Sequence, residues 1–160
     1  MLQYKVFDQS LYDKNDGRGK KAAIKFFLKR GFEATENPDK YGIDVLIYKE
    51  NKLQFMIEVE VRGEDVWNGN IFKYSSLHIP YRKQRLIKFD TLIPIQYFVF
   101  NNTLTSFLTC NLRLSCSRQP IEVSNKYIPQ GEYFFDVPQT EIWQYVLDNS
   151  GIWMNKDIVR

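Results

Sequence analysis

The 160-residue chain is short of several things that chemistry often relies on. It has one histidine and two cysteines, too few nitrogen and sulfur donors for most all-protein zinc sites, which take about four. A single histidine also leaves few ways to build a Ser-His or Cys-His nucleophile pair. The net charge is only +3, so the total says little about partners. No signal peptide is expected, because Met1-Leu2-Gln3-Tyr4-Lys5-Val6-Phe7-Asp8 has no apolar run and holds an acid at position 8. Without an export signal, Cys110 and Cys116 are expected as reduced, partly buried thiols rather than a small-loop disulfide, and the expected location is cytoplasmic. Residues 91–112 carry no charge. They nevertheless hold Pro94, Gln96, Asn101 and Asn102, whereas a spanning helix wants about 20 mainly apolar residues. Two strands around the Asn-Asn pair are expected instead, with no membrane association.

What is present points to an ordinary folded domain. Hydrophobic residues make up 44% and charged residues 26%, which excludes wholesale disorder. Aromatics reach 16% and favour a sheet-rich core. A single domain over 1–160 follows from length, since domains run to roughly 150 residues. Residues 16–31 read as a helix, with Asp16 as N-cap, Gly31 as stop, and Ala23, Phe26, Phe27 and Arg30 at helical spacing. Gly17 and Gly19 loosen its start. A short strand at 32–35 and a loop with Pro38, Asp39 and Gly42 come next. IDVLIY (43–48) and LQFMIEVEVR (53–62), separated by KENK, read as a hairpin. Pro80 suits the opening of a helix over 80–89. Strands are expected at 95–100, 104–110 and 133–137, and a helix over 140–151 ended by Gly151. This order predicts an α/β fold at the α+β border, a central mixed β-sheet flanked by helices.

The hairpin carries the chemistry. Ile57, Val59 and Val61 face one way, and Glu58, Glu60 and Arg62 the other. A three-residue loop, Glu50-Asn51-Lys52, pairs Lys49 with Leu53 and, carried along, Asp44 with Glu58. The facing Cβ atoms would lie about 4.5–5.5 Å apart. Two carboxylates that close repel unless a cation sits between them, and Mg²⁺ takes such oxygens while keeping several waters. Glu60 shares the face and is placed to hold a second ion or orient a water. The bland alternative is a solvent-facing strand whose alternating charges discourage aggregation. Three acids at one end of one face, beside Arg62, favour the metal site.

These residues resemble the PD-(D/E)XK nuclease superfamily: an acid at the start of a strand, a hairpin, then an acid, any residue and a lysine. The match is Gly42-Ile43-Asp44 followed by Glu58-Val59-Glu60, and the helix ending Lys29-Arg30-Gly31-Phe32 is similar to that family's first core helix. The resemblance covers residues 16 to about 100, with the motif between 42 and 62. Pro38-Asp39 also occurs literally, but Asp39 lies in a loop and Asp44 on the strand. The resemblance implies a restriction-endonuclease-like sheet, Mg²⁺ or Mn²⁺ held by Asp44, Glu58 and the backbone carbonyl of Val59, and hydrolysis of DNA phosphodiesters, with RNA left open. The main departure is Glu60, which stands where the family has its lysine. Some members carry Glu there and stay active; others bring the lysine from a neighbouring element, for which Lys83 and Arg62 are the nearest candidates. The implied catalytic set is Asp44, Glu58, Glu60 and Lys83. The first helix also lacks the acid of many relatives, Lys20 and Lys21 occupying that stretch. Either departure implies altered metal use or an inactive descendant.

Charge is uneven along the chain. Residues 17–32 hold Arg18, Lys20, Lys21, Lys25, Lys29 and Arg30 with no acid, and residues 66–89 hold Lys73, Arg82, Lys83, Arg85 and Lys88 with none. Basic runs on both sides of an acidic cluster fit a nucleic-acid enzyme, because phosphate contacts dominate affinity. Lys20, Lys21, Arg62, Lys73, Arg82, Lys83 and Arg85 are the expected contacts; solvated amphipathic helices are the plainer explanation of any one run. Trp67, Tyr74 and Tyr81 are candidates for base stacking, with at least one expected in the core. His78 reads as a hydrogen-bonded structural residue rather than an acid or a phosphate contact. The expectation is a Mg²⁺-dependent DNA endonuclease that acts as a homo-oligomer if it cuts both strands. The alternatives are an inactive nucleic-acid-binding relative and a protein-interaction module.

Overall fold

Helix α1 spans Gln9–Leu28 in the computed structural model, which describes residues 9–87, 92–124 and 131–156. The helix therefore starts upstream of the expected N-cap. Asp16 lies inside it and pairs with Lys20 one turn on, at 2.9 Å. Its end is as the sequence predicts. Gly31 adopts φ +85°, its N–H bonds to Leu28 O, and Phe32 N–H reaches back to Phe27 O, the paired closure that a left-handed residue allows. The Phe27 and Phe32 rings then meet at 5.8 Å. Gly19 has a packing role: a Cβ there would stand 2.9 Å from Val59 Cγ1 and 3.0 Å from Val61 Cγ2.

The strands are β1 (Glu33–Glu36), β2 (Val45–Lys49), β3 (Lys52–Val61), β4 (Trp67–Asn68), β5 (Ile71–Phe72), β6 (Ser76–Pro80), β7 (Ile95–Phe100), β8 (Ser106–Asn111), β9 (Ile121–Val123), β10 (Glu132–Pro138), β11 (Trp143–Leu147) and β12 (Trp153–Lys156). Seven form a mixed sheet in the order β1-β2-β3-β7-β8-β11-β12. Within it β3 and β7 run parallel and the other neighbours antiparallel. A three-stranded sheet, β6-β10-β9, lies apart from it. The protein is thus α+β, with a mixed sheet and few helices.

Both faces of the large sheet are covered. On one, Ala23, Phe26 and Phe27 of α1 pack on Val45, Ile57, Val59, Phe98 and Phe107. On the other, Leu77, Ile79, Leu86, Phe135 and Val137 pack on Ile95, Tyr97, Val99 and Leu108. Burying each such side chain contributes about 1.5–3 kcal/mol. Because β7 and β8 are covered on both sides, they read as an uncharged run rather than an alternating one. The expected flanking by helices holds for one face only. The second is covered by the three-stranded sheet and a short 3-10 helix.

Two expected helices change. Residues 80–89 give a 3-10 helix, Tyr81–Ile87, because Pro80 is still the last residue of β6; 88 and 89, and with them Lys88, lie outside the described residues. Residues 140–151 do not form the expected α-helix: Gln139–Glu141 makes one 3-10 turn and a strand follows. Trp143–Leu147 adds to the edge of β8 as β11, in keeping with its β-branched and aromatic content. Gly151, at φ +77°, then serves a turn, where the Asp148 carboxylate accepts from Ser150 and Ile152 N–H at 2.8 and 2.9 Å. Cys110 and Cys116 are free and buried, and burial pushes their thiols up to about 11 and about 12. No helix among the described residues is long and apolar enough to cross a membrane.

Candidate active site

The β2–β3 hairpin reaches the expected pairing by an unexpected route. Its loop has two residues, not three: Lys49 pairs with Lys52, and Glu50 and Asn51 both take positive φ, 51° and 63°, the twist that suits a tight hairpin. Carried along unbroken, that register would set Asp44 and Glu58 on opposite faces. A bulge corrects it. Tyr48 pairs with Leu53, but Ile47 pairs with Phe55, leaving Gln54 as the extra residue. From there Leu46 meets Met56 and Val45 meets Ile57, so one further step brings Asp44 opposite Glu58.

Asp44 stands just before β2 and bridges two elements. One carboxylate oxygen accepts the Val59 N–H at 2.8 Å; the other lies 3.5 Å from Lys20 Nζ on α1. Burial raises the Asp44 pKa, against the Val59 hydrogen bond and the charges of Lys20 and Lys83. Burial alone would lower Lys20, but its bond to Asp16 and the charges of Asp44, Asp16 and Glu36 keep it raised. Since Asp16 belongs to α1, the first helix does carry an acid near the site, contrary to the sequence expectation.

Glu58 is 5% exposed. Lys83, from the 3-10 helix, places Nζ 2.5 Å from its Oε1. Its Oε2 is buried and receives no donor from the protein. Burial pushes the Glu58 carboxyl up to about 7, with Lys83 opposing and Asp44 adding to the rise. Glu60 behaves differently. Burial would raise it too, but Arg62, Lys83 and the Tyr97 hydroxyl outweigh that and hold it at about 2. The Tyr97 hydroxyl donates to Glu60. Arg62 Nε lies 3.3 Å from Glu60 Oε1, and its guanidinium also donates to His78 O at 2.8 Å. Arg62 is thereby committed to protein partners beside the site.

The remaining basic candidates lie outward. Lys21 is exposed. Lys73 donates to Glu64 O, Arg85 to Tyr41 O at 2.6 Å, and Arg82 stands 3.8 Å from the Glu132 carboxylate. Only Lys20 and Lys83 among them form ion pairs with Asp44 and Glu58. His78 pairs with Asp136 at 3.2 Å, a structural role on β6. Trp67 is buried, while Tyr74 and Tyr81 are exposed. Sequence reasoning missed Asp16 and Tyr97. Tyr97 had one signal, a hydroxyl amid an uncharged run, where a buried phenol needs a partner.

Whether the site suits a divalent cation turns on its donors. No group of three or more His, Cys, Asp or Glu side chains with metal-holding geometry occurs among the described residues. Mg²⁺, however, is commonly held by one or two carboxylates, with waters and phosphate oxygens completing the shell. The buried Glu58 Oε2 receives no donor from the protein; its only link is to the Asp44 carboxylate through the proton that Glu58 itself retains, the place a cation would take. Residues in a strand direct N–H and C=O to the same edge, so the Val59 carbonyl leaves β3 on the side where its N–H meets Asp44. Carboxylate and carbonyl oxygens of this kind are the donors that a hard cation takes. No protein-family model, curated protein or solved structure matches this chain.

Proposed function

We propose that this protein is a metal-dependent DNA endonuclease of the PD-(D/E)XK kind. One observation carries the reading: Asp44 and Glu58 meet at the end of a hairpin, with Lys83 Nζ 2.5 Å from Glu58 and one buried Glu58 oxygen left without a donor from the protein. Helix α1 leading into an acid-bearing hairpin, the mixed sheet behind it, and Asp16 on that helix all support it. In this reading Asp44, Glu58 and the Val59 carbonyl hold Mg²⁺ or Mn²⁺. A bound ion of this type polarises the phosphate and lowers the pKa of its water. Lys83 supplies the positive charge that the family's strand lysine provides. Moving from Glu58 to a phosphate oxygen, it stabilises the charge that develops there. Glu60, held at about 2 by its partners, is too weak a base to take a proton near neutrality. It serves to position Arg62 and Tyr97. The exposed lysines of α1 provide the polyanion surface.

The test is incubation of supercoiled and linear DNA with the full chain in Mg²⁺ or Mn²⁺. Nicking is expected, reduced at least about a hundredfold in Asp44→Ala and Glu58→Ala, in the range that loss of electrostatic stabilisation costs. Lys83→Ala should lose activity that Lys83→Arg partly keeps. Absence of cleavage with every divalent cation tried removes the enzyme reading. A second reading then gains, because Lys20 and Lys83 already neutralise both acids without an ion: a nucleic-acid-binding relative without catalysis, which binds DNA in a salt-dependent way and does not cut it.

A further inference from the structure

A groove of about 820 Å³ opens at the Glu60 end of β3, with residues of β3, β6 and β10 in its walls. Glu60, two residues beyond Glu58, lines it, and so does Arg82, which precedes Lys83. Its volume falls in the roughly 300–1,000 Å³ range of small-ligand sites. Both of its arginines are paired, Arg62 with Glu60 at 3.3 Å and Arg82 with Glu132 at 3.8 Å, and Asp65 adds a further acid to the lining. A groove without a surplus of free cations is no track for phosphates, which need unpaired lysine and arginine. Such cations lie instead on the exposed face of α1, at Lys21 and Lys25. What the groove offers is aromatic surface and polar edges. Tyr74 is 55% exposed, and Phe134 packs under the His78 ring with centroids 5.5 Å apart; all three line the groove.

We propose that this groove receives an unpaired nucleobase next to the phosphate engaged at Asp44 and Glu58. The substrate is then nucleic acid with single-stranded or unstacked residues, not uniform duplex; the identity of the polymer rests on the nuclease reading above. A base is neutral, planar and polar at its edge. It stacks on Tyr74 or Phe134 and meets Glu60 and His78 with its hydrogen-bonding edge, whereas a base within a duplex stack cannot enter without flipping out.

The experiment measures binding of the full chain in EDTA, where no cleavage intervenes. The probes are a fluorescent 20-nucleotide single strand, its blunt duplex, and a single strand carrying 2-aminopurine. We expect the single strand to bind about tenfold tighter than the duplex, the scale of base–aromatic stacking, with a change in 2-aminopurine fluorescence. Tyr74→Ala and Phe134→Ala should remove that preference and that change while leaving duplex binding as it was; Lys21→Ala should weaken both probes alike. Tyr74 is exposed, so its variant keeps the test intact should Phe134→Ala fail to fold. Equal binding of the two probes, or variants that leave the preference unmoved, overturns the proposal. Selective single-strand binding with no cleavage in Mg²⁺ or Mn²⁺ supports the groove and removes the nuclease reading. Cleavage of uniform duplex without preference for unpaired DNA does the reverse.

Discussion

Glu58 should make the folded protein lose stability as pH rises, the opposite of the usual acid-denaturation trend. Its carboxyl sits at about 7, against 4.5 for an ordinary glutamate. The folded chain therefore keeps a proton that the unfolded chain has already released. Stability linked to this group is full below about pH 4.5 and declines until the pH passes about 7. At about 1.4 kcal/mol per pH unit, the gap amounts to about 3 kcal/mol. Asp44, also raised, acts in the same sense. Glu60, held at about 2, acts oppositely, and its share is lost only as pH falls from about 4.5 through 2. The perturbation is Glu58→Gln, which keeps shape and an acceptor for Lys83 but cannot ionise. Urea unfolding of both proteins, followed by tryptophan fluorescence in EDTA between pH 5 and 8, yields the difference in stability at each pH. Any constant loss from the weakened Lys83 contact drops out of the trend. The variant should gain on the parent by about 2–3 kcal/mol across that range. A flat difference, or a parent that gains on the variant, would show Glu58 ionised already at pH 5 and refute the burial argument. Repeating the series with Mg²⁺ at about 100 times its dissociation constant should stabilise the parent by about 2.7 kcal/mol at pH 8, and the variant by much less.

Three further measurements bear on the framework that holds this site. Gly17 has open space around it, whereas a Cβ at Gly19 would strike Val59 and Val61; Gly17→Ala should raise unfolding free energy by about 0.5–1 kcal/mol and Gly19→Ala lower it by about 1–2 kcal/mol, both read by urea titration. Glu50 pays for its left-handed conformation at φ 51° because it has a Cβ, so Glu50→Gly should raise the thermal midpoint, corresponding to roughly 0.5–1 kcal/mol. Arg62→Met leaves Glu60 beside Tyr97 without its cation and should cost about 2–4 kcal/mol in chemical denaturation; a change below about 0.5 kcal/mol would contradict the pairing described.

Local patterns determined much of this protein from the sequence alone. The helix end at Gly31, the strands of the uncharged run, and the shared face of Glu58, Glu60 and Arg62 follow from periods and turn residues that act within a few positions. So does Asn51 in a left-handed turn. Only the tertiary structure decided the rest. Whether Trp143–Leu147 coils or extends depends on the open edge of β8, more than thirty positions earlier. The facing of Asp44 and Glu58 depends on a bulge at Gln54 that offsets a shorter turn, and no local rule signals such a compensation. The partners chosen by the acids were equally out of reach. Lys83 meets Glu58 across 25 positions, and Tyr97 meets Glu60 across 37, because the crossover between the parallel strands β3 and β7 brings them together. Burial then sets the charges: neighbouring glutamates on one face sit at about 7 and about 2 because one gained an arginine and a phenol, and the other shares its lysine with a second carboxyl.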